Sequence, residues 1–169
     1  VQGTFTQQIM CKLLGYSSVG QADTYTIASE YPVARGKVDL ALGQFWGDKN
    51  KDIVLAPFEL KGAKTTNLDA MMSGRHKTPV QQAFEYARDI KGAKWVLLYN
   101  YVELRLYAIS ETSLVYEQFL LEDLLNPTEY AKFQLLLSQD NLLQGKTEQL
   151  LKESENADKD ISDVLYDDY

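Results

Sequence analysis

Val38-Asp39-Leu40-Ala41-Leu42-Gly43 and Ile53-Val54-Leu55-Ala56-Pro57-Phe58-Glu59-Leu60-Lys61 are short apolar runs separated by a polar loop, and their reading decides the fold. Each has the length and aliphatic content of a strand. In the first, Val38, Leu40 and Leu42 alternate with Asp39 and Ala41, so Asp39 points away from its aliphatic neighbours. In the second, alternation places Val54, Ala56, Phe58 and Leu60 on one face, with Glu59 and Lys61 on the other. Residues 43–51 (Gly-Gln-Phe-Trp-Gly-Asp-Lys-Asn-Lys) carry the turn chemistry that brings the runs back together. Pairing then gathers two carboxylates and one ammonium on a single sheet face.

That set suits a divalent cation working on a phosphodiester. Mg²⁺ keeps most of its waters and takes only one or two protein carboxylates. Asp39 and Glu59 supply these, the backbone carbonyl of Leu60 offers a third oxygen, and Mn²⁺ is a substitute metal. A bound metal lowers the pKa of its water and neutralises phosphate charge. A lysine beside it, here Lys61, orients the attacking water and stabilises transition-state charge. The plain alternative is a strand with a solvated face, because Glu-x-Lys patterns arise readily by chance. Asp39 and the context must carry the rest.

The chain has 169 residues, enough for one sizeable core, and an apolar fraction of 45% that is ordinary for a globular protein. No run approaches the length of a membrane span and no charged-then-apolar leader opens the chain, so no membrane partner is expected. Val1 is not an initiator residue, which points to a fragment. Cys11 is the only cysteine, so no internal disulfide forms, in keeping with a cytoplasmic location. The net charge of −7 is unevenly spread: residues 35–94 hold eleven Lys/Arg against seven Asp/Glu, whereas residues 111–169 hold four against fourteen. The block with the candidate site is basic despite an acidic whole.

Along the chain, residues 6–14 read as a helix with Ile9, Met10, Leu13 and Leu14 on one face, stopped by Gly15. Residues 17–35 read as a loop or weak strand. Residues 62–77 lack periodicity and carry Lys64, Asn67, Arg75, His76 and Lys77, a basic loop able to meet a phosphate backbone or simply to be solvated. Thr78-Pro79-Val80-Gln81 opens a helix with a capping box and proline in the first turn. The helix is expected to run to about Lys91, with Val80, Ala83, Phe84 and Ala87 buried. Gln82 and Tyr86, four apart, lie off that stripe and stack on each other, either for a function or as a solvated face. Residues 94–101 read as a buried central strand, 103–109 as its returning partner and 114–120 as another strand. Asn126-Pro127 starts a helix through about Ser138, with Tyr130, Phe133, Leu136 and Leu137 on its apolar side. Residues 145–169 read as an acidic connecting helix, its stripe being Leu150, Leu151, Ala157, Ile161, Val164 and Leu165.

The order Asp39, Glu59-Leu60-Lys61 and Gln82-Ala83-Phe84-Glu85-Tyr86, on strand, strand and helix, resembles the PD-(D/E)XK nuclease superfamily, in particular members with an added Gln-x-x-x-Tyr motif. Leu14-Gly15-Tyr16, Phe58-Glu59-Leu60-Lys61-Gly62, residues 75–86 and the acidic residues 153–169 are most similar to the N-terminal endonuclease domain of bifunctional type IIG restriction–modification enzymes. The resemblance implies an α/β fold with a restriction-endonuclease-like core, a mixed central β-sheet flanked by helices. It implies a nuclease domain over 1–144 and a connector over 145–169 toward a downstream domain. Asp39, Glu59 and Leu60 would hold Mg²⁺, Lys61 would complete the catalytic set, and Gln82 and Tyr86 would support the site or its DNA phosphate. The implied partners are double-stranded DNA and the methyltransferase and target-recognition domains of a longer chain. The pattern departs from many relatives at the first helix, where Gln7 and Gln8 stand in place of a glutamate, and Asn126-Pro127-Thr128 is not a methyltransferase Asn-Pro-Pro-aromatic motif. A non-catalytic nucleic-acid-binding or assembly module, or a repair or recombination nuclease, are the competing readings.

Overall fold

The computed structural model describes residues 2–156. These residues divide into two compact units, one made of residues 2–16 with residues 122–156, the other spanning Ser17–Leu121. The second unit carries a six-stranded mixed sheet in sequential order: β1 (Tyr25–Val33), β2 (Gly36–Phe45), β3 (Ile53–Leu60), β4 (Trp95–Tyr99), β5 (Glu103–Ala108) and β6 (Glu117–Leu120). All neighbours are antiparallel except β3 and β4, which run parallel. The parallel step needs a crossover, and α2 (Pro79–Arg88) supplies it.

β2 and β3 pair with Leu40 opposite Phe58 and Leu42 opposite Ala56, which continues one residue further to set Asp39 against Glu59. Beyond Leu42 the register shifts, Gly43 lying opposite Val54. This bulge corrects the strict alternation expected for β3. The extra residue turns Val54 away from Ala56 and Phe58, and Val54 instead joins Val38, Ala41 and Phe45 in one buried cluster. Val38 joins the same cluster, and the β1–β2 register also shifts, between Tyr25 and Ile27; Tyr31 pairs with Val38 and brings its ring 5.4 Å from that of Phe45. Gly43 is required at the bulge, since a Cβ there would lie 1.9 Å from the carbonyl oxygen of Ile53.

The weak strand expected within residues 17–35 is a nine-residue edge strand, β1. Pro32 is tolerated in it because an edge strand needs ladder bonds on one side only. β2 runs on through Phe45, so the turn begins later than residue 43. β4 is buried at every position and β5 at all but Ala108, as the expected strand pair requires. The strand expected over 114–120 shrinks to β6, with Leu114 and Val115 exposed.

α2 opens as its sequence dictates. Thr78 Oγ1 accepts the Gln81 N–H at 3.1 Å, and Gln81 Oε1 accepts the Thr78 N–H at 2.9 Å. Val80, Ala83, Phe84 and Ala87 pack on Val96, Leu98 and Tyr107 of the sheet. The helix ends at Arg88, about a turn before the expected Lys91, and the following turn reaches Gly92 at φ +86°.

In the other unit, α1 (Gln2–Phe5) runs into a π-helical stretch, Thr6–Leu13. Its wider turn is evident where the Leu14 N–H reaches back to the Ile9 carbonyl at 3.0 Å. Five-residue spacing therefore buries Phe5 and Met10 together and leaves Leu13 40% exposed, a correction to the α-helical face expected over residues 6–14. The Tyr16 hydroxyl donates to the Leu137 carbonyl at 2.8 Å. α3 (Pro127–Leu137) is capped by Asn126, whose Oδ1 accepts the Thr128 N–H at 2.9 Å, and it buries Phe133, Leu136 and Leu137. α4 (Gln139–Gln144) and α5 (Lys146–Asn156) follow across Gly145 at φ +95°. α5 buries Leu150, and the Thr147 hydroxyl donates to the Leu136 carbonyl at 2.7 Å. Residues 157–169, with the rest of the expected connector stripe, lie outside the described residues.

The bulge makes a direct test. Gly43→Ala must push its Cβ into a backbone carbonyl rather than a movable side chain. Denaturant titration is expected to show a loss of about 2 kcal/mol or more; an unchanged midpoint would mean that the bulge does not need a glycine.

Candidate active site

Asp39 and Glu59 meet at the end of the β2–β3 ladder and bind each other's strand. The Leu60 N–H donates to Asp39 Oδ2 at 2.8 Å, and the Asp39 N–H donates to Glu59 Oε1 at 3.4 Å. The two carboxyls are themselves in hydrogen-bond contact. Glu59 is 6% exposed. Burial first, and the charge of Asp39 second, push its pKa up to about 7, against the opposing pull of Lys61.

Lys61 Nζ lies 3.9 Å from Glu59 Oε2 and donates to Gln82 Oε1. Burial lowers the Lys61 pKa, with the neighbouring carboxylates opposing and the Arg75 charge adding to the fall. Gln82 is 4% exposed, which corrects the solvated-face alternative: α2 lies so close to the sheet that a side chain off the aliphatic stripe still points inward. Tyr86 does not follow Gln82 to Lys61. It packs against the Val38, Ala41, Phe45 and Val54 cluster, and a Cβ built on Gly36 would lie 3.9 Å from its hydroxyl.

The pairing extends the site into a cross-strand row. Glu59 lies beside Leu98, Leu98 opposite Arg105, and Arg105 opposite Gln118. Arg105 is buried and carries a network that sequence reasoning passed over. Its Nη1 and Nη2 donate to both oxygens of Asp69 at 3.0 and 2.9 Å. Its Nε lies 2.5 Å from Glu103 Oε1, a contact of charges whose angle does not make a hydrogen bond. Its guanidinium sits 4.4 Å over the Tyr116 ring, and Gln118 donates to Glu103 Oε2. The signal was present as Glu103 and Arg105, an acid and a base two residues apart on an otherwise apolar strand.

Residues 62–77 follow Lys61 as turns with a buried anchor, Leu68, on the α2 side of the sheet. Among the groups expected to meet phosphate, Lys77 pairs with Glu85 at 2.6 Å and the Asn67 side chain accepts the Asp69 N–H at 2.9 Å, so both are engaged within the unit. Lys64, Arg75 and His76 are exposed, and His76 holds φ +53°.

Among the described residues no three His, Cys, Asp or Glu side chains gather as a metal-ligand group. The residues present nonetheless fit a Mg²⁺ or Mn²⁺ ion of the kind that takes two carboxylates and keeps its waters. Two carboxyls in contact, one buried, make a concentration of negative charge that a cation relieves. Asp39 and Glu59 would hold it, with the Leu60 carbonyl adjacent in the chain. No helix among the described residues is long and apolar enough to cross a membrane. No protein-family model, curated protein or solved structure matches the chain.

The Glu59 shift carries a stability sign. A carboxyl whose folded pKa is raised from 4.5 to about 7 favours folding below pH 4.5, and that contribution is lost as pH rises to about 7. Glu59→Gln removes the buried charge, so the variant is expected to be about 2 kcal/mol more stable than the unaltered chain at pH 8 without metal, and nearly equal to it near pH 4. Urea titrations of both proteins across that range would check the crossover.

Proposed function

We propose that this chain is a Mg²⁺-dependent endonuclease module that hydrolyses phosphodiester bonds of double-stranded DNA, built on a restriction-endonuclease-like core of the PD-(D/E)XK type. The observation that carries the reading is the half-buried Asp39 paired with the buried Glu59, with Lys61 held beside them by Gln82. Structural ion pairs alternate their charges; here the acids touch each other and the ammonium stands off at 3.9 Å. The metal, when bound, supplies a low-pKa water and neutralises phosphate charge. Asp39 and Glu59 would hold it, Lys61 would face the reacting phosphate, and Gln82 fixes the Lys61 ammonium. Tyr86 buttresses the strand rather than touching Lys61, and Arg75, Lys64 and His76 are the exposed groups left to meet the DNA backbone. The biological setting that fits is the cleavage half of a restriction–modification enzyme, with methyltransferase and target-recognition domains elsewhere in a longer chain. A repair or recombination nuclease would use the same chemistry.

One observation favours a second reading, a non-catalytic nucleic-acid-binding module. An oxygen of each carboxylate is engaged by a backbone N–H, and no third acidic ligand joins them among the described residues.

Calorimetry with Mg²⁺ and Mn²⁺ separates the two. The nuclease reading expects one site that is lost in Asp39→Asn and in Glu59→Gln, with affinity rising toward pH 7 and a proton released on binding near pH 6, because Glu59 must be deprotonated to bind. Lys61→Ala should keep the metal and lose on the order of 100-fold or more in cleavage of plasmid DNA. Cutting undiminished by Lys61→Ala would end the reading, and the absence of a metal site dependent on Asp39 and Glu59 would favour the binding module.

A further inference from the structure

The Arg105 network presents a mismatch between its halves. Arg105 is nearly buried, with 6% of its side chain exposed, whereas 60% of the Asp69 side chain is exposed. A buried cation needs one close anion, and Glu103, itself buried and fixed by Gln118, already lies 2.5 Å from it. Asp69 therefore adds a second negative charge that neutrality does not require. What Asp69 does supply is geometry, a two-pronged link from residues 62–77 to β5. That segment begins at Lys61, whose N–H donates to the Tyr99 carbonyl at 2.7 Å. Asn100 holds it again through the Thr65 carbonyl at 2.8 Å, and Leu68 joins the buried cluster that contains Leu98, the residue between Glu59 and Arg105 in the cross-strand row. Between Leu68 and Lys77 the Asp69–Arg105 pair ties the segment to the sheet through side chains.

We propose that Asp69 is a positioning residue: its bidentate pair with Arg105 latches residues 62–77 onto the sheet face that carries Glu59 and Lys61, so that the exposed Arg75 of that segment is held for the DNA backbone. The purpose of the latch rests on the nuclease reading; its existence as a restraint does not. With Asp69 removed, Arg105 keeps the Glu103 charge at 2.5 Å and the Tyr107 hydroxyl at 3.1 Å, so the sheet is expected to keep its fold.

The test is hydrogen exchange on this chain combined with cleavage of plasmid DNA in Mg²⁺. In Asp69→Ala, amides of residues 62–77 should exchange roughly ten times faster while those of β3, β4 and β5 keep their protection. Cleavage should fall on the order of 10- to 100-fold, and the thermal midpoint should move little. Asp69→Asn, which retains one acceptor, should lie between, and Arg105→Lys, which keeps the charge but loses the fork, should match Asp69→Ala in the loop. Unchanged exchange in residues 62–77 would overturn the proposal, as would exchange rising throughout the sheet, the mark of a merely structural role. A loosened loop with undiminished cleavage would overturn the positioning role. Failure of the nuclease reading is seen separately, in the unaltered chain, as neither cleavage nor binding of DNA, and it removes the positioning role with it.

Discussion

The crossed bonds between Asp39 and β3, Leu60 N–H to Asp39 and Asp39 N–H to Glu59, are the constraint from which the site follows. They stand where the next rung of the β2–β3 ladder would be, so strand register and charge placement are one property. A slip of one residue would send Glu59 to the face of Phe58 and put an apolar side chain beside Asp39. The ladder that fixes this register begins beyond a bulge only glycine can make, at Gly43. Stability of the hairpin and assembly of the carboxyl pair are thus set by the same residues, and the strain of two neighbouring acids is built into that ladder.

Relief of that strain explains the surroundings. Glu59 is buried by the helix–strand packing that seats Val80, Ala83 and Phe84 on Val96 and Leu98. The same packing draws in Gln82, one residue from Ala83, and gives the Lys61 ammonium a neutral acceptor in place of a full ion pair. An ammonium bound by an amide keeps its charge available to a third party, whereas one buried in a tight carboxylate pair does not. The capping box at Thr78 and Gln81 sets where α2 begins, and with it the depth at which Gln82 arrives.

The parts legible in the sequence were those governed by local rules. Strands β3, β4 and β5, the capping box, the Asn126 cap and the convergence of Asp39 with Glu59 all follow from period, turn chemistry and capping. What stayed hidden depends on non-local packing. A bulge is visible only once a partner strand exists, so the side on which Val54 lies could not be read from alternation. The π-helical turn at Thr6–Leu13 mimics an α-helical pattern until burial distinguishes five-residue from four-residue spacing. Residues 17–35 have the mixed composition of an edge, which conceals a nine-residue strand. Gln82 and Tyr86 share a helix face, yet one serves Lys61 and the other the Phe45 cluster, a division fixed by tertiary packing rather than by helical period.

The chain carries the same sequence pattern twice, Glu59-Leu60-Lys61 and Glu103-Leu104-Arg105, on strands of one sheet. Each joins a further aspartate, so each cluster sums to one net negative charge, and pattern and charge count cannot tell them apart. Geometry does. At Arg105 the cation stands between its acids, with Glu103 at 2.5 Å and Asp69 at 2.9 Å, and the hydrogen bond to Arg105 holds the Asp69 carboxyl below its ordinary range. At Glu59 the acids face each other, the cation is displaced to 3.9 Å, and the carboxyl is pushed up to about 7. A planar guanidinium can bridge two carboxylates at once, and a compact ammonium on a flexible stem, already engaged by Gln82, does not. The first arrangement is complete as it stands and reads as architecture. The second brings two acids together with the cation to one side, and that geometry, rather than the motif, is what the proposed metal site rests on.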